Sequence, residues 1–338
     1  MTMRRCWRGG VLPMRYDESF APATIAAIRD VAPAIRELTL HPAGNAVSYP
    51  TGAHLRVQVR INGKPGIRHY SLIGAPQDGV WRIAVKREDP GRGGSRFMWS
   101  LKPGDVVEIS NPASHFELAA NASAYLLIAG GIGITPILGM AQVLRRRAVP
   151  FRLLYAGRSE AETAYLPEVA QCGAQAEVYF ADQGRFIDLA SAFRALPLDG
   201  EAYICGPIGL LDAARAAWDA GGRPRARLRF ETFGSSGRFA AEAFTVRLPR
   251  LNREVHVTAE MTMLDALEDA GIGVLADCRR GECGLCAMDV IASEREIDHR
   301  DVFFSDAQHA QNRKICACVS RVAGGTITLE PAWRGDVL

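Results

Sequence analysis

The chain has 338 residues, 48% of them hydrophobic and 23% charged, with a formal net charge of +3. At roughly 100–200 residues per domain, this length suggests two or three domains. The composition is too apolar for a disordered chain and too charged for a polytopic membrane protein. The small basic excess, with no long Lys/Arg run, gives no support to a nucleic-acid partner.

At the N-terminus, Arg4 and Arg5 are not followed by an apolar run of about 7–15 residues, so no secretory signal is expected. Met14 is an alternative start, and residues 1–14 are expected to be poorly ordered. From about residue 15 to 118, short alternating apolar stretches recur: Glu37–His41, His54–Ile61, Trp81–Lys86 and Val106–Ser110. Asn62-Gly63, Asp78-Gly79 and Pro103-Gly104-Asp105 separate them as turn signals. This pattern predicts an antiparallel β-barrel or sandwich.

Residues 119–235 change character. Tyr125–Ala129, Arg152–Ala156, Ala176–Phe180 and Ala202–Cys205 read as buried strands. Helical runs follow, ending near Arg147 and covering Leu189–Ala195 and Gly209–Ala220. Alternation of strand and helix predicts an α/β parallel sheet, doubly wound. Ala124–Leu144 is uncharged and long enough to span a bilayer. Gly130, Gly131, Gly133, Pro136 and Gly139 interrupt it, so a strand, a glycine turn and a helix explain it better than a membrane span. No membrane partner is expected, and the cytoplasm is the expected compartment.

Residues 243–338 open with a hairpin, Phe244–Leu248 and Glu254–Val257, turning through Pro249–Arg253. Thr262 is a candidate N-cap for a helix over Met263–Ala270, with Asp265 in its first turn. Thr326–Leu329 closes the segment as a strand, which suits a β-grasp arrangement. The joints fall near Glu117–Ala122 and Ser235–Ala243.

Five of the eight cysteines crowd this last segment: Cys278, Cys283, Cys286, Cys316 and Cys318. The first three have the spacing C-x4-C-x2-C, with a distant fourth, as in plant-type [2Fe–2S] ligation. Thiolates are soft ligands suited to such a cluster. Gly281 and Gly284 let the loop wrap closely. A structural zinc site is the alternative, but its cysteines come as two separated pairs or with histidine. Spacing alone leaves Cys316 and Cys318 both open as the fourth ligand.

Two further motifs carry chemistry. Arg68-His69-Tyr70-Ser71 offers a cation for phosphate, an aromatic face for a flat apolar ring and a hydroxyl for a ring nitrogen. Gly91-Arg92-Gly93-Gly94-Ser95 leads into a helical Arg96–Leu101, a turn suited to phosphate. Ala129-Gly130-Gly131-Ile132-Gly133-Ile134-Thr135-Pro136 follows a strand and opens a helix, which suits a pyrophosphate. Tyr203-Ile204-Cys205-Gly206-Pro207 ends another strand, where open α/β sheets bind ligands. Arg158 follows a strand end and reaches toward an adenosine, or is a solvated loop residue. Glu231-Thr232-Phe233-Gly234 closes the segment. His69 and His299 read as local hydrogen-bonding residues rather than metal ligands.

Taken in order, these motifs resemble the phthalate dioxygenase reductase family, which includes vanillate demethylase reductases. The resemblance covers nearly everything after residue 17. It implies a ferredoxin-reductase-like flavin barrel at 15–118, an NAD(H)-binding α/β domain at 119–235 and a plant-type ferredoxin domain at 243–338. It implies FMN held by Arg68, His69, Tyr70, Ser71, Val85, Lys86, Gly93, Gly94, Ser95, Thr135 and Phe233. NADH would lie on Gly130, Gly131, Gly133, Arg158, Cys205, Gly206 and Pro207, with Ser71, Thr135 and Cys205 nearest the chemistry. Because Cys318-Val319-Ser320-Arg321 matches the family context, the implied cluster ligands are Cys278, Cys283, Cys286 and Cys318. The implied activity is electron transfer from NADH through FMN and [2Fe–2S] to a Rieske-type oxygenase. A reductase for another acceptor, such as a cytochrome P450, is one alternative. A non-catalytic, cluster-bearing redox sensor is another.

Overall fold

The computed structural model describes residues 20–44, 48–61, 63–74, 79–89, 91–233 and 237–331. The turn residues Asn62 and Asp78, and Gly234 and Ser235 at the second joint, lie outside them. So do Cys6 and Met14.

The first unit is a six-stranded antiparallel sheet. Its elements are β1 (Phe20–Ala32), β2 (Ile35–Pro42), β3 (His54–Ile61), β4 (Lys64–Ser71), β5 (Trp81–Lys86), α1 (Gly94–Ser100) and β6 (Val106–Ser110). The strands run in the order β4-β3-β6-β1-β2-β5. Among the described residues the two edges meet through an isolated Leu72–Ile83 bridge. In β3, Leu55, Val57 and Val59 point inward while Gln58 and Arg60 face out, the two-residue period of a half-buried strand. The alternating stretches of the sequence thus became β2, β3, β5 and β6, the first extended to Ile35 and Pro42 and the other three with the bounds read from the sequence. β1 and β4 complete the sheet.

The second unit is an all-parallel five-stranded sheet in the order β11-β10-β7-β8-β9. It comprises β7 (Tyr125–Gly130), α2 (Ile134–Arg146), β8 (Phe151–Gly157), α3 (Leu166–Ala170), β9 (Ala176–Phe180), α4 (Leu189–Ala195), β10 (Glu201–Cys205), α5 (Ile208–Ala220) and β11 (Leu228–Glu231). Every residue of β7 is buried, as a central strand covered on both faces requires. Leu127 and Tyr155 join the core on the α2 side, and Leu126 and Leu154 that on the α4–α5 side. The uncharged Ala124–Leu144 run divides into β7, a 3-10 turn and α2. No helix among the described residues is long and apolar enough to cross a membrane.

The third unit is a mixed sheet ordered β13-β12-β18-β14-β16, with a small β15–β17 pair. Its elements are β12 (Phe244–Leu248), β13 (Arg253–Val257), α6 (Met263–Asp269), β14 (Ala287–Ser293), β15 (Ile297–Asp298), α7 (Asp306–Gln311), β16 (Lys314–Cys316), β17 (Arg321–Val322) and β18 (Thr326–Pro331). Thr262 caps α6 in a full capping box with Asp265, each side chain bonding the other's main-chain N–H. Leu264 and Leu267 of α6 share one core with Val246, Ile315 and Leu329 of the sheet. The architecture expected from the sequence, with barrel, parallel sheet and β-grasp in that order, is the one observed.

Candidate functional site: a three-way junction at a buried carboxylate

The R-x-Y-S motif occupies the end of β4. The Arg68 guanidinium donates to the carbonyls of Ile67 (2.8 Å) and Arg92 (3.0 Å). It lies across Gly94, where an added Cβ would fall 2.4 Å from Arg68 Nε. The glycine turn and the arginine are therefore built against each other, as a phosphate cradle needs. Ser95 Oγ accepts from the Glu88 N–H at 3.2 Å. Tyr70 is half-buried, and burial pushes its phenol pKa up. His69 stacks on His54 at 5.3 Å, and the Nδ1 atoms of both are buried with no partner among the described residues. Burial, followed by neighbouring His54 and Arg280, holds His69 well below its ordinary pKa. Val85 points into the barrel core and its carbonyl accepts from Trp99 Nε1 at 3.1 Å, while Lys86 is exposed.

Around the glycine octet, Gly133 approaches the carboxyl end of β10 so closely that a Cβ would sit 2.1 Å from the Cys205 carbonyl oxygen. Gly130 lies against Pro207 and Gly206 in the same way. Gly131 faces open space, which leaves room for a ligand at the sheet's carboxyl end. Thr135 is buried and donates to the Ile132 carbonyl at 3.0 Å. Arg158 is 81% exposed and 3.7 Å from Glu162. Phe233 packs partly buried against the core shared by barrel and sheet. Cys205 is fully buried, and burial, then the charges of Glu231 and Glu282, pushes its thiol pKa well up.

The cysteine loop brings all five candidate ligands together. Cys278 Sγ accepts three main-chain N–H groups, from Arg280, Glu282 and Cys283, each at 3.4 Å. Such a ring of donors stabilises a negative sulfur and suits thiolate ligation of a cluster. Gly281 and Gly284 both take positive φ, 75° and 71°. Cys316 and Cys318 lie beside Cys286 and draw its thiol pKa down. Cys318 feels the charge of Cys278, whereas Cys316 sits on β16 opposite Ala287 and feels Asp301. Cys283 is half-buried and the other four are buried.

Glu231, at the end of β11, was read from the sequence only as closing the second segment. It is 1% exposed and meets a residue of each of the other two units. Ser71 of the R-x-Y-S motif adjoins its carboxylate and favours the ionised form, Arg280 Nη1 of the cysteine loop donates to Oε1 at 2.5 Å, and Cys205 feels its charge. Burial, opposed by Arg280, raises its pKa to about 7. Its position at a strand's carboxyl end in an α/β sheet was the available signal.

A separate group, His299, Asp301 and His309, also converges. The two rings stack at 4.4 Å and 18°, so their nitrogens do not aim at one point. Asp301 already accepts from the Phe304 N–H, Ser320 Oγ and His309. This is a hydrogen-bonded brace behind the cysteine loop, as read for His299 from the sequence.

A family model described as an oxidoreductase FAD-binding domain matches residues 23–118, and one described as a 2Fe-2S iron-sulfur cluster binding domain matches residues 247–323. The chain is 36% identical to the heme-dependent oxidative N-demethylase beta subunit of Ectopseudomonas mendocina, covering 90% of this chain and 97% of that protein. It is 35% identical to the phthalate 4,5-dioxygenase oxygenase reductase subunit of Pseudomonas putida, over 94% and 98%. The solved structure of phthalate dioxygenase reductase superposes with a TM-score of 0.74 at 32% identity, over 93% of this chain and 98% of that one. The chain is thus an oxidoreductase with a flavin domain, a nucleotide-binding parallel sheet and a [2Fe–2S] domain. It belongs to the phthalate dioxygenase reductase family, the reductase components of oxygenase systems.

Proposed function

We propose that this chain carries electrons from NADH through FMN and a [2Fe–2S] cluster to a Rieske-type aromatic-ring dioxygenase or demethylase. One observation carries the reading: the buried Arg280–Glu231 pair ties the cluster loop to the strand end beside Cys205, with Ser71 of the R-x-Y-S motif adjoining the same carboxylate. FMN supplies two-electron uptake and one-electron release, and the cluster supplies one-electron relay. The division into 15–118, 119–235 and 243–338 gives each carrier its own unit.

The chain's own residues position and insulate. Arg68, Gly93, Gly94 and Ser95 would hold the flavin phosphate. Tyr70, His69, Thr135 and Phe233 would line the flavin, with Val85 and Lys86 contributing. Gly130, Gly131 and Gly133 would admit the pyrophosphate, Gly206 and Pro207 would shape the nicotinamide pocket, and Arg158 would meet the adenosine end. Ser71 and Cys205 would be nearest the chemistry. Cys278, Cys283, Cys286 and Cys318 would ligate the cluster, the fourth chosen over Cys316 because Cys318-Val319-Ser320-Arg321 matches the family context. The phosphate turn runs directly into α1 and β6 with no inserted segment for an adenine, which supports FMN over FAD. The compartment is the cytoplasm, where thiols outside the cluster, such as Cys172 and Cys205, stay reduced.

The test is anaerobic mixing of purified holoprotein with NADH. Flavin absorbance should bleach first and the reduced-cluster spectrum should appear second. A zinc-bearing protein without flavin, or a coloured one inert to NADH, would sink the reading. The likeness to a heme-dependent N-demethylase subunit favours a second reading, in which the same path ends on a haem oxygenase. Reduction of a haem acceptor but not a Rieske acceptor by the holoprotein would select it.

A further inference from the structure

Among the described residues, the third unit is held against the rest of the molecule by ion pairs of very different character. Arg56 on β3 lies 3.7 Å from Asp277, whose side chain is 53% exposed. Arg215 on α5 lies 3.6 Å from Asp306, which is 79% exposed. Pairs this open to water contribute little. The third is Arg280 with Glu231, at 2.5 Å, with side chains 6% and 1% exposed. Removing one partner of such a pair strands a charge out of water, which is strongly destabilising for whatever contact encloses it.

Its location matters as much as its burial. Arg280 lies two residues after the first cysteine of the loop, and its own N–H bonds Cys278 Sγ at 3.4 Å. Its charge reaches His69 of the flavin motif and His54 stacked on it. Ser71 of the same motif adjoins its partner Glu231. Glu282, on the other side of the loop's glycine, lies 2.8 Å from Arg280 and receives the main-chain N–H of Thr232. The loop is therefore bound twice to the Glu231–Thr232 strand end. Both bonds come from residues between the cysteines, not from the cysteines themselves.

We propose that the Arg280–Glu231 pair is the latch that fixes the cluster loop at the flavin motif, making Arg280 a positioning residue for the flavin-to-cluster electron step. This rests on the electron path proposed above. Each NADH yields a hydride, two electrons and a proton, and becomes NAD+. The cluster accepts electrons singly, so the crossing beside Arg280 occurs twice per NADH, and the proton leaves to solvent. Arg280 neither donates nor accepts an electron; it sets the separation across which each one moves.

The experiment is stopped-flow reduction of holoprotein by NADH, resolving flavin bleaching from cluster reduction, in Arg280→Gln, Arg280→Lys, Glu231→Gln and the double Glu231→Gln/Arg280→Gln variant. Arg280→Gln should slow cluster reduction at least tenfold more than flavin reduction. Arg280→Lys, which keeps the charge but not the planar fork, should recover part of this. The double variant, with no stranded charge, should recover more than either single one, a coupling that separate sites would not show. Hydrogen exchange over residues 278–286 should rise in Arg280→Gln and fall back in the double variant, independently of turnover. Equal slowing of both steps, or a lowered melting temperature with an unchanged ratio, would make the pair a structural brace and overturn the inference. If Arg280→Gln fails to load its cluster, Glu231→Gln puts the same question from the other side, and an unchanged hydrogen exchange there overturns it. Failure of the underlying electron path shows differently: wild-type cluster would not be reduced by NADH at all.

Discussion

Two regions of the molecule hold cysteines around the same carboxylate and treat them in opposite ways. At the end of β10, Cys205 is buried in packing, near the negative charges of Glu231 and Glu282, and its thiol is kept protonated. In the loop after α6, burial also raises Cys278, but three main-chain N–H groups oppose it, and Cys286 is drawn down by two neighbouring thiols. Residue type does not separate the two regions. Main-chain direction does: a loop bent through positive φ turns its N–H groups toward sulfur, while a strand spends them on its neighbours. One region suits a neutral neighbour of a hydride, the other an anionic ligand set.

The sharpest way to break this comparison is to remove one side entirely. Cys283→Ser should abolish the iron–sulfur absorption and paramagnetic signals while NADH–ferricyanide activity stays within about twofold, because the flavin alone serves a small acceptor. Loss of both would mean that the two regions are not separable. On the same scale, Cys318→Ser should abolish the cluster and Cys316→Ser should retain it. The reverse result would reassign the fourth ligand.

The complementary break is Gly133→Ala. Its Cβ would meet the Cys205 carbonyl oxygen at 2.1 Å, and main-chain atoms on both sides cannot yield cheaply. Overpacking of this kind costs about 1–3 kcal/mol. The turn would shift away from β10, so NADH oxidation should fall by at least tenfold. The cluster, reduced chemically instead, should keep its spectrum. An undiminished rate with NADH would show that the octet does not carry the nucleotide.

Much of this was legible from the sequence where local chemistry decides structure. The cysteine spacing, the glycine octet, the R-x-Y-S motif and the Thr262 cap all act over a few residues. β1 was not legible: only Ala23 and Ile25 of its thirteen residues are fully buried, and it becomes a strand by pairing with β2 and β6. β11 is four residues long and gains its identity from β10 beside it. α7 did carry a signal, since Ser305 and Gln308 form a capping box. Glu231 carried only its place at a strand's carboxyl end. Its partners stand at positions 71 and 280, and only the folded chain brings a flavin-motif serine and a cluster-loop arginine to one carboxylate.

The smallest expected effect reports from the seam between the two regions. His54 on β3 is 2% exposed, stacks on His69, and has its pKa lowered to about 3, first by burial and then by the charges of Arg280 and His115. A histidine held neutral in the folded state binds fewer protons than the unfolded chain between that value and about 6.5. Its contribution to stability is therefore complete above about pH 6.5 and is lost as pH falls through that window. At pH 5 the loss amounts to about 2 kcal/mol for this one group. His54→Phe preserves a stacked ring without a titrating nitrogen. Urea unfolding at pH 7.5 and pH 5 should show a smaller acid destabilisation in the variant than in the parent, by about that amount. Equal losses in both would place the acid sensitivity elsewhere, and His54 would then not be sensing the cluster-loop arginine across the seam.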